Sequence, residues 1–163
     1  MRLVLAIVLV LAAFPVRATV LDDHDASRLA DVTEAIQSFE DEVVSALHHL
    51  PADAGQLESY SYVKLNLEAA HERLNNILMQ VAFSIYMESP VDESLILTVI
   101  HAQLLPPSRN YLIEKKDAIA SMAATHPSNA VFAAYSARAN ALLGDRAVPL
   151  LDELDRKIGA PRR

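Results

Sequence analysis

The chain has 163 residues, a formal net charge of −7, three glycines, and neither cysteine nor tryptophan. This length suits one domain with a proper core, and so few glycines argue against a turn-rich β sandwich or barrel. A chain without cysteine has no disulfide, no lipid-modified cysteine and no haem attached through a Cys-x-x-Cys-His motif. The acidic balance disfavours nucleic acid as a partner.

The first 18 residues have the pattern of a secretory signal peptide. Arg2 precedes an unbroken apolar run over residues 3–14, and Pro15-Val16-Arg17-Ala18 follows, with small or modest residues at the positions that a signal peptidase inspects. The run is shorter than the roughly 18 residues that a membrane span needs. We therefore predict cleavage after Ala18, a periplasmic or secreted location, and no stable membrane insertion afterwards. An uncleaved membrane anchor is the alternative.

Residues 19–163 are predicted to form one helical domain, and the first helix gives the clearest signal. Its apolar residues recur in alternating steps of three and four, which only an α-helix places on one stripe. They are Leu29, Val32, Ile36, Phe39, Val43, Ala46 and Leu50. Pro51 ends the helix, and the short loop that follows implies an antiparallel neighbour.

The second helix is predicted from Leu57 to Glu88, with a stripe of the same spacing. Its members are Tyr60, Val63, Leu67, Ala70, Leu74, Ile77, Val81 and Ser84. Near its end, further apolar residues crowd the helix, namely Phe83, Ile85, Tyr86 and Met87. This excess apolar surface indicates either a homodimer contact or simply a wider core.

The third helix is predicted to start with Ser89 as its cap and Pro90 in its first turn. Its stripe is expected to comprise Val91, Leu95, Thr98, Ala102 and Leu105, followed by Leu112, Ile113, Ile119 and Met122. Adjacent prolines remove two backbone donors, so a kink or split is expected at Pro106-Pro107.

The fourth helix is predicted to be interrupted between Gly144 and Pro149. Its apolar positions are Phe132, Tyr135, Ala139 and Leu142, then Ala147, Leu151, Leu154 and Ile158. Four such helices joined by short loops predict an all-α, antiparallel up-down-up-down four-helix bundle. If the third and fourth helices are each split in two, the alternative is a bundle of six helices.

Charge is distributed unevenly along the chain. Residues 19–50 carry eight acidic residues against Arg28 alone, whereas residues 106–163 carry nine basic residues against six acidic ones. An acidic first helix is therefore expected beside a basic last helix, the alternative being a solvated acidic face.

Matching the helices by height, counted from each loop, places several polar residues in the middle of the bundle. They are Lys64, His71, Arg109, Tyr111, Lys116 and Arg138. A partly buried basic layer of this kind can bind a small anionic ligand. The alternative is that the long side chains follow the bundle edges with their charges in water.

Metal and haem sites have weaker signals. The histidines His48, His49 and His126 fall at one end of the bundle, near Asp53 and Glu58, and imidazoles with carboxylates can bind zinc or copper. Height matching also brings Met79 near His101, a pair that can ligate haem. A titrating surface patch is the alternative for the first group, and hydrogen bonding at the core edge is the alternative for His101.

Catalysis has no recognisable signature in this sequence. Gly-x-Ser-x-Gly, glycine-rich phosphate loops and reactive cysteine are all absent from it. The function predicted is therefore that of an exported, non-catalytic helical bundle that binds a protein partner or a small ligand. An anion-binding sensor or enzyme is the alternative, and a metal or haem carrier is the third hypothesis.

Overall fold

The protein is all-helical in the computed structural model, which describes residues 20–51 and 56–160. Four helices account for most of these residues, and no strand occurs among them: α1 (Asp23–His48), α2 (Leu57–Ile85), α3 (residues 90–124) and α4 (residues 130–159). The all-α class and the number of helices are thus confirmed. The predicted signal peptide lies outside the described residues.

Helix α1 begins with a reciprocal cap. The Asp22 carboxylate accepts a hydrogen bond from the Asp25 amide at 3.0 Å, and the Asp25 carboxylate accepts one from the Asp22 amide at 3.0 Å. This arrangement satisfies two backbone donors that a helix start leaves free. The predicted stripe is buried from Leu29 to Val43, and the helix ends at His48.

Helix α2 also buries the stripe that its sequence predicts, from Tyr60 to Ser84. The helix ends at Ile85, three residues before the predicted Glu88. The Tyr86 hydroxyl donates a hydrogen bond to Asp23 Oδ1 at 3.1 Å, which connects the end of α2 to the start of α1.

Helix α3 consists of an α-helical segment Pro90–Val99, a π-helical segment Ile100–Leu104 and a longer α-helical segment Leu105–Ala124. As predicted, Ser89 caps its start, with its hydroxyl 3.5 Å from the Asp92 amide. Pro106 and Pro107 lie in the first turn after the π-helical segment, where a helix tolerates residues without an amide donor. The Ser108 hydroxyl donates to the Leu104 carbonyl there.

The apolar stripe predicted for the start of α3 is wrong. Its first four members are exposed: Val91, Leu95, Thr98 and Ala102. Glu93, Leu97 and Ile100 are buried instead. The prediction carried one 3.6-residue pattern through the whole helix, but π-helical turns contain more residues, so positions before the π-helical segment are rotated relative to those after it.

Helix α4 has the same three-part construction, with Ala130–Ala139, a π-helical segment Asn140–Ala147, and Val148–Gly159. Asn129 caps its start by accepting hydrogen bonds from the Val131 and Phe132 amides at 3.0 and 3.4 Å. The predicted interruption near Gly144 thus appears as a change of helical register in a helix that continues to Gly159.

The four helices share one core. Helix α1 packs against α2 and α4, and α3 packs against the same two helices. At one end, aromatic rings with centroids 5.0–6.3 Å apart form a cluster of Phe39, Tyr60, Phe132 and Tyr135. Along the described ranges, none of the helices is long and apolar enough to span a membrane.

Candidate protein-interaction surface on the second helix

Helix α2 has a second apolar face besides the buried one. Five large apolar side chains on it remain open to solvent: Tyr62 (45% exposed), Leu65 (58%), Met79 (48%), Phe83 (52%) and Tyr86 (40%). With Ala69, Glu72 and Asn76 they follow alternating steps of three and four, so all eight residues lie on one side of the helix. We call these eight residues the outer stripe.

Continuity decides which apolar face of α2 turns inward. From Val63 to Val81 every member of the buried stripe is apolar. The outer stripe contains Glu72 and Asn76 at its middle, and burying a carboxylate and an amide without partners is costly. The uninterrupted face is therefore buried in the core, and the interrupted face remains outside.

The middle of the outer stripe is polar and concave. An open cavity of about 330 Å³ lies there, lined by Ala69, Glu72, Arg73, Asn76 and Tyr111. Arg73 Nε donates to the buried Ser108 hydroxyl at 2.6 Å, which fixes this arginine against α3. Within the described part of the chain, the side chains of Glu72 and Asn76 make no hydrogen bond, so both can bind groups from outside.

The two ends of the outer stripe differ in charge. Near Tyr62, Lys115 Nζ lies 4.5 Å from the centroid of the Tyr111 ring, and its hydrogen bond with Glu114 raises the pKa of Lys115. At the other end, partial burial and the hydrogen bond to Asp23 raise the pKa of the Tyr86 hydroxyl. The ion pair of Lys115 with Glu114 thus flanks one end, and Asp23 flanks the other.

The exposed apolar area of the outer stripe is large for a single helix. Side chains of this size each have roughly 200 Å² of surface, and the five are about half exposed. Together they present on the order of 500 Å², which Glu72 and Asn76 divide into one group of Tyr62 and Leu65 and another of Met79, Phe83 and Tyr86. Clustered apolar side chains mark interaction sites more often than isolated surface residues do.

Most of the predicted cationic residues are bound to carboxylates. Lys64 Nζ lies 2.5 Å from Glu68, Arg109 Nε lies 2.8 Å from Asp152, and Lys116 Nζ lies 3.1 Å from Asp117. Arg138 pairs with Glu42 and stacks on the Phe39 ring, with Cζ 4.6 Å from its centroid. These charges are therefore already neutralised locally.

The structure also does not gather these residues around one cavity. Lys64 and His71 lie near Glu40 between α1 and α2, Arg109 and Lys116 lie between α3 and α4, and Arg138 lies between α4 and α1. Tyr111 alone borders the outer stripe. Height matching ignores the rotation of each side chain about its helix axis, which is why residues at one level are found on different edges.

Glu40 is a buried carboxylate that the sequence analysis missed. Burial raises its pKa, and the nearby Glu68 carboxylate raises it further, while His71 and Lys64 oppose that shift. Among the described residues none donates a hydrogen bond to this side chain. Its position four residues after Ile36 places it beside the buried stripe, a signal that was available in the sequence.

The three histidines proposed as metal ligands each have different surroundings. His48 is exposed, His49 Nδ1 lies 2.6 Å from the Ser45 carbonyl, and the His126 ring packs 5.0 Å from Phe132. Across residues 20–51 and 56–160, no group of three histidine, aspartate or glutamate residues is arranged to hold a metal ion. Asp53 lies outside those ranges.

Met79 and His101, the two residues considered as haem ligands, lie in different environments. Met79 belongs to the outer stripe, whereas His101 Nδ1 lies 2.8 Å from Asp155 Oδ1 on α4. Between α1 and α4, Arg28 donates a hydrogen bond to each of the two Glu153 carboxylate oxygens at 2.7 Å. A second open cavity, of about 310 Å³, lies beside that pair.

Comparisons of this chain with protein-family models, with curated proteins and with solved structures gave no match. Of the nine large apolar side chains that are exposed in the described part of the chain, five belong to the outer stripe.

Proposed function

We propose that this chain is an exported, non-catalytic helical bundle that acts by binding another protein through the outer stripe of α2. The observation that supports this role is the row of five half-exposed apolar side chains from Tyr62 to Tyr86. An amphipathic helix binds such a row through anchors at i, i+3, i+4 and i+7. The polar middle at Glu72 and Asn76 supplies hydrogen bonds that fix the register of the partner.

A small anionic ligand has less support than a protein partner. Lys64, Arg109 and Arg138 each contact a carboxylate, so an anion would have to displace an existing ion pair. The two open cavities are also lined by carboxylates, Glu72 in one and Asp31, Asp145 and Glu153 in the other.

The location we propose, periplasmic or secreted, rests on the sequence of residues 1–18. N-terminal sequencing of the mature protein tests it, with Thr19 expected as the first residue. Retention of the segment from Met1 would contradict the proposed cleavage.

We infer that the helices run up-down-up-down. Four contacts support this order: Tyr86 with Asp23, Arg138 with Glu42, Arg28 with Glu153, and His101 with Asp155. Each joins the first half of one helix to the second half, or the end, of another. We also infer that α3 and α4 bend at their π-helical segments, because π turns and prolines interrupt the regular hydrogen-bond ladder.

Site-specific photo-crosslinking in the cells that produce the protein tests the proposed binding surface. A photoreactive amino acid is placed at Leu65 or Phe83, and the matched controls carry it at Leu95 or Val131, which are exposed apolar positions on α3 and α4. We expect protein adducts at the two outer-stripe positions and few at the controls. Equal labelling at all four positions would contradict the proposal.

A further inference from the structure

We propose that the partner bound by the outer stripe is a second copy of this chain, whose α2 packs antiparallel against the α2 of the first. This inference rests on the proposed function, because it names the occupant of the same surface. The two copies would be related by a two-fold axis that passes the outer stripe midway along its length, between Glu72 and Asn76 and at the height of residue 74.

The outer stripe is chemically complementary to a second outer stripe that runs in the opposite direction. About position 74, each residue lies opposite a compatible one in the other copy: Tyr62 opposite Tyr86, Leu65 opposite Phe83, Ala69 opposite Met79, and Glu72 opposite Asn76. A two-fold interface requires this property, since one surface must complement its own copy.

The residue pairs nearest the two-fold axis favour this register. Opposite Glu72, the Asn76 amide can donate to the carboxylate, and the two-fold axis repeats that contact. Next to them, the small Ala69 leaves room for the long and flexible Met79. A polar pair inside an otherwise apolar seam specifies register and orientation, because a shift would leave the polar groups unpaired.

Parallel packing of the same two helices is disfavoured. It would place Glu72 directly opposite Glu72 of the other copy, so the two carboxylates would repel each other. Antiparallel packing also brings Lys115, near Tyr62, towards the end at which Tyr86 binds Asp23. Lys115, which pairs with Glu114 of its own chain at 2.9 Å, can there also attract Asp23 of the other copy.

The available area is sufficient for a dimer of modest affinity. The five apolar side chains of each copy expose on the order of 500 Å², so their complete burial in both copies would remove roughly 1,000 Å² from solvent, to which the flanking residues add. Specific interfaces begin at about this size. We therefore expect a dimer that dissociates on dilution and exchanges subunits freely.

Cysteine pairing tests the register, since the natural chain has no cysteine. Ala69→Cys and Met79→Cys are prepared separately and then mixed under mild oxidation. Within one helix the two positions lie about 15 Å apart, too far for a disulfide. We expect a covalent dimer in the mixture and little in either variant alone, whereas a mixture of Leu95→Cys and Val131→Cys serves as the control.

Self-linkage of Ala69→Cys would overturn the antiparallel register and point to a parallel pair. An absence of disulfides in the mixture above the control level would overturn the proposed contact between Ala69 and Met79. Either result leaves the binding role of the outer stripe to be judged by photo-crosslinking.

Sedimentation analysis of the full chain tests the dimer itself. We expect Phe83→Glu to weaken the dimer at least about tenfold, with an unchanged circular dichroism spectrum because Phe83 is half exposed. Leu95→Glu is the matched control and should remain dimeric. A natural chain that is monomeric at several hundred micromolar would overturn the inference.

That failure can be distinguished from failure of the proposed function. If the chain is monomeric but the photo-crosslinker at Leu65 labels a different protein, the surface binds that protein and the dimer is wrong. If the chain is monomeric and the outer-stripe positions label no more than Leu95 and Val131, both proposals are wrong.

Discussion

Lys157 in the last turn of α4 reaches Asp25 in the first turn of α1, with Nζ 2.5 Å from Oδ2, and only 2% of the Asp25 side chain is exposed. The same carboxylate accepts the Asp22 amide in the cap of α1. One aspartate therefore both starts a helix and connects it to the last helix of the chain.

Replacing Lys157 by methionine should destabilise the bundle. The change leaves the buried Asp25 carboxylate without its cationic partner, and we expect a loss of about 1–3 kcal/mol in the free energy of unfolding. Urea denaturation measures it. Arg156→Met on the same helix is the control, since Arg156 is exposed, and its effect should stay within about 0.5 kcal/mol. Similar losses in both variants would contradict a specific role for this pair.

The pair between Arg28 and Glu153 should make stability depend on pH. The hydrogen bond from Arg28 lowers the pKa of Glu153 below its ordinary value of 4.5. A carboxyl group with a lowered folded-state pKa stabilises the fold above its unfolded-state pKa, and this contribution is lost as pH falls through the folded-state value.

We therefore expect Arg28→Gln to cost about 0.5–1 kcal/mol at pH 7, since both side chains are partly exposed. The difference from the natural chain should shrink as the pH falls below 4.5 and as salt is added. Denaturation curves at several pH values measure it. A difference that stays constant from pH 7 to pH 3 would show that the ion pair does not contribute.

Glu40 should behave in the opposite sense. Its pKa is raised by burial and by Glu68, so its ionised form opposes folding at neutral pH, and this penalty disappears as pH falls below the ordinary value of 4.5. Glu40→Gln removes the charge and keeps the shape. We expect a gain of about 1 kcal/mol at pH 7, equivalent to a melting temperature higher by roughly 2–4 °C.

The control for Glu40 is Glu34→Gln, an exposed position on the same helix. Its melting temperature should match that of the natural chain at both pH 7 and pH 4. A Glu40→Gln variant that is less stable than the natural chain at pH 7 would mean that the carboxylate has a stabilising partner.

Asn129 should matter for the start of α4. Its side chain accepts from two backbone amides that have no partner inside the helix, and Asn129→Ala is expected to cost about 1 kcal/mol. Thermal unfolding measures the loss. Ser128→Ala, one residue earlier, is the control and should change little; a loss as large as that of Asn129→Ala would argue against the cap.

The sequence was sufficient where a single helical pattern ran without interruption. The stripes of α1 and α2 are buried as predicted from Leu29 to Val43 and from Tyr60 to Ser84. It failed where the backbone changes its helical period: Val91 and Leu95 are exposed and Glu93 is buried, because a π-helical segment cannot be seen in apolar spacing.

The candidate surface was only partly visible in the sequence. Phe83 and Tyr86 drew attention to the end of α2, and both are exposed, but Tyr62 and Leu65 extend the same face for the length of the helix. The residues of the predicted cationic layer lie at similar heights, but their side chains point in different directions around their helix axes. Lys64 and Arg138 are therefore found on different edges of the bundle.

The amino-acid sequence by itself determined that this chain is built from four amphipathic helices, since the spacing of apolar residues is a local property that burial then exploits. Only the tertiary structure decided which face of the first part of α3 is buried, where Glu93, Leu97 and Ile100 lie in the core and Val91 and Leu95 are exposed. That choice depends on the shape and continuity of the core that the other three helices provide, and no single segment of the chain contains this information.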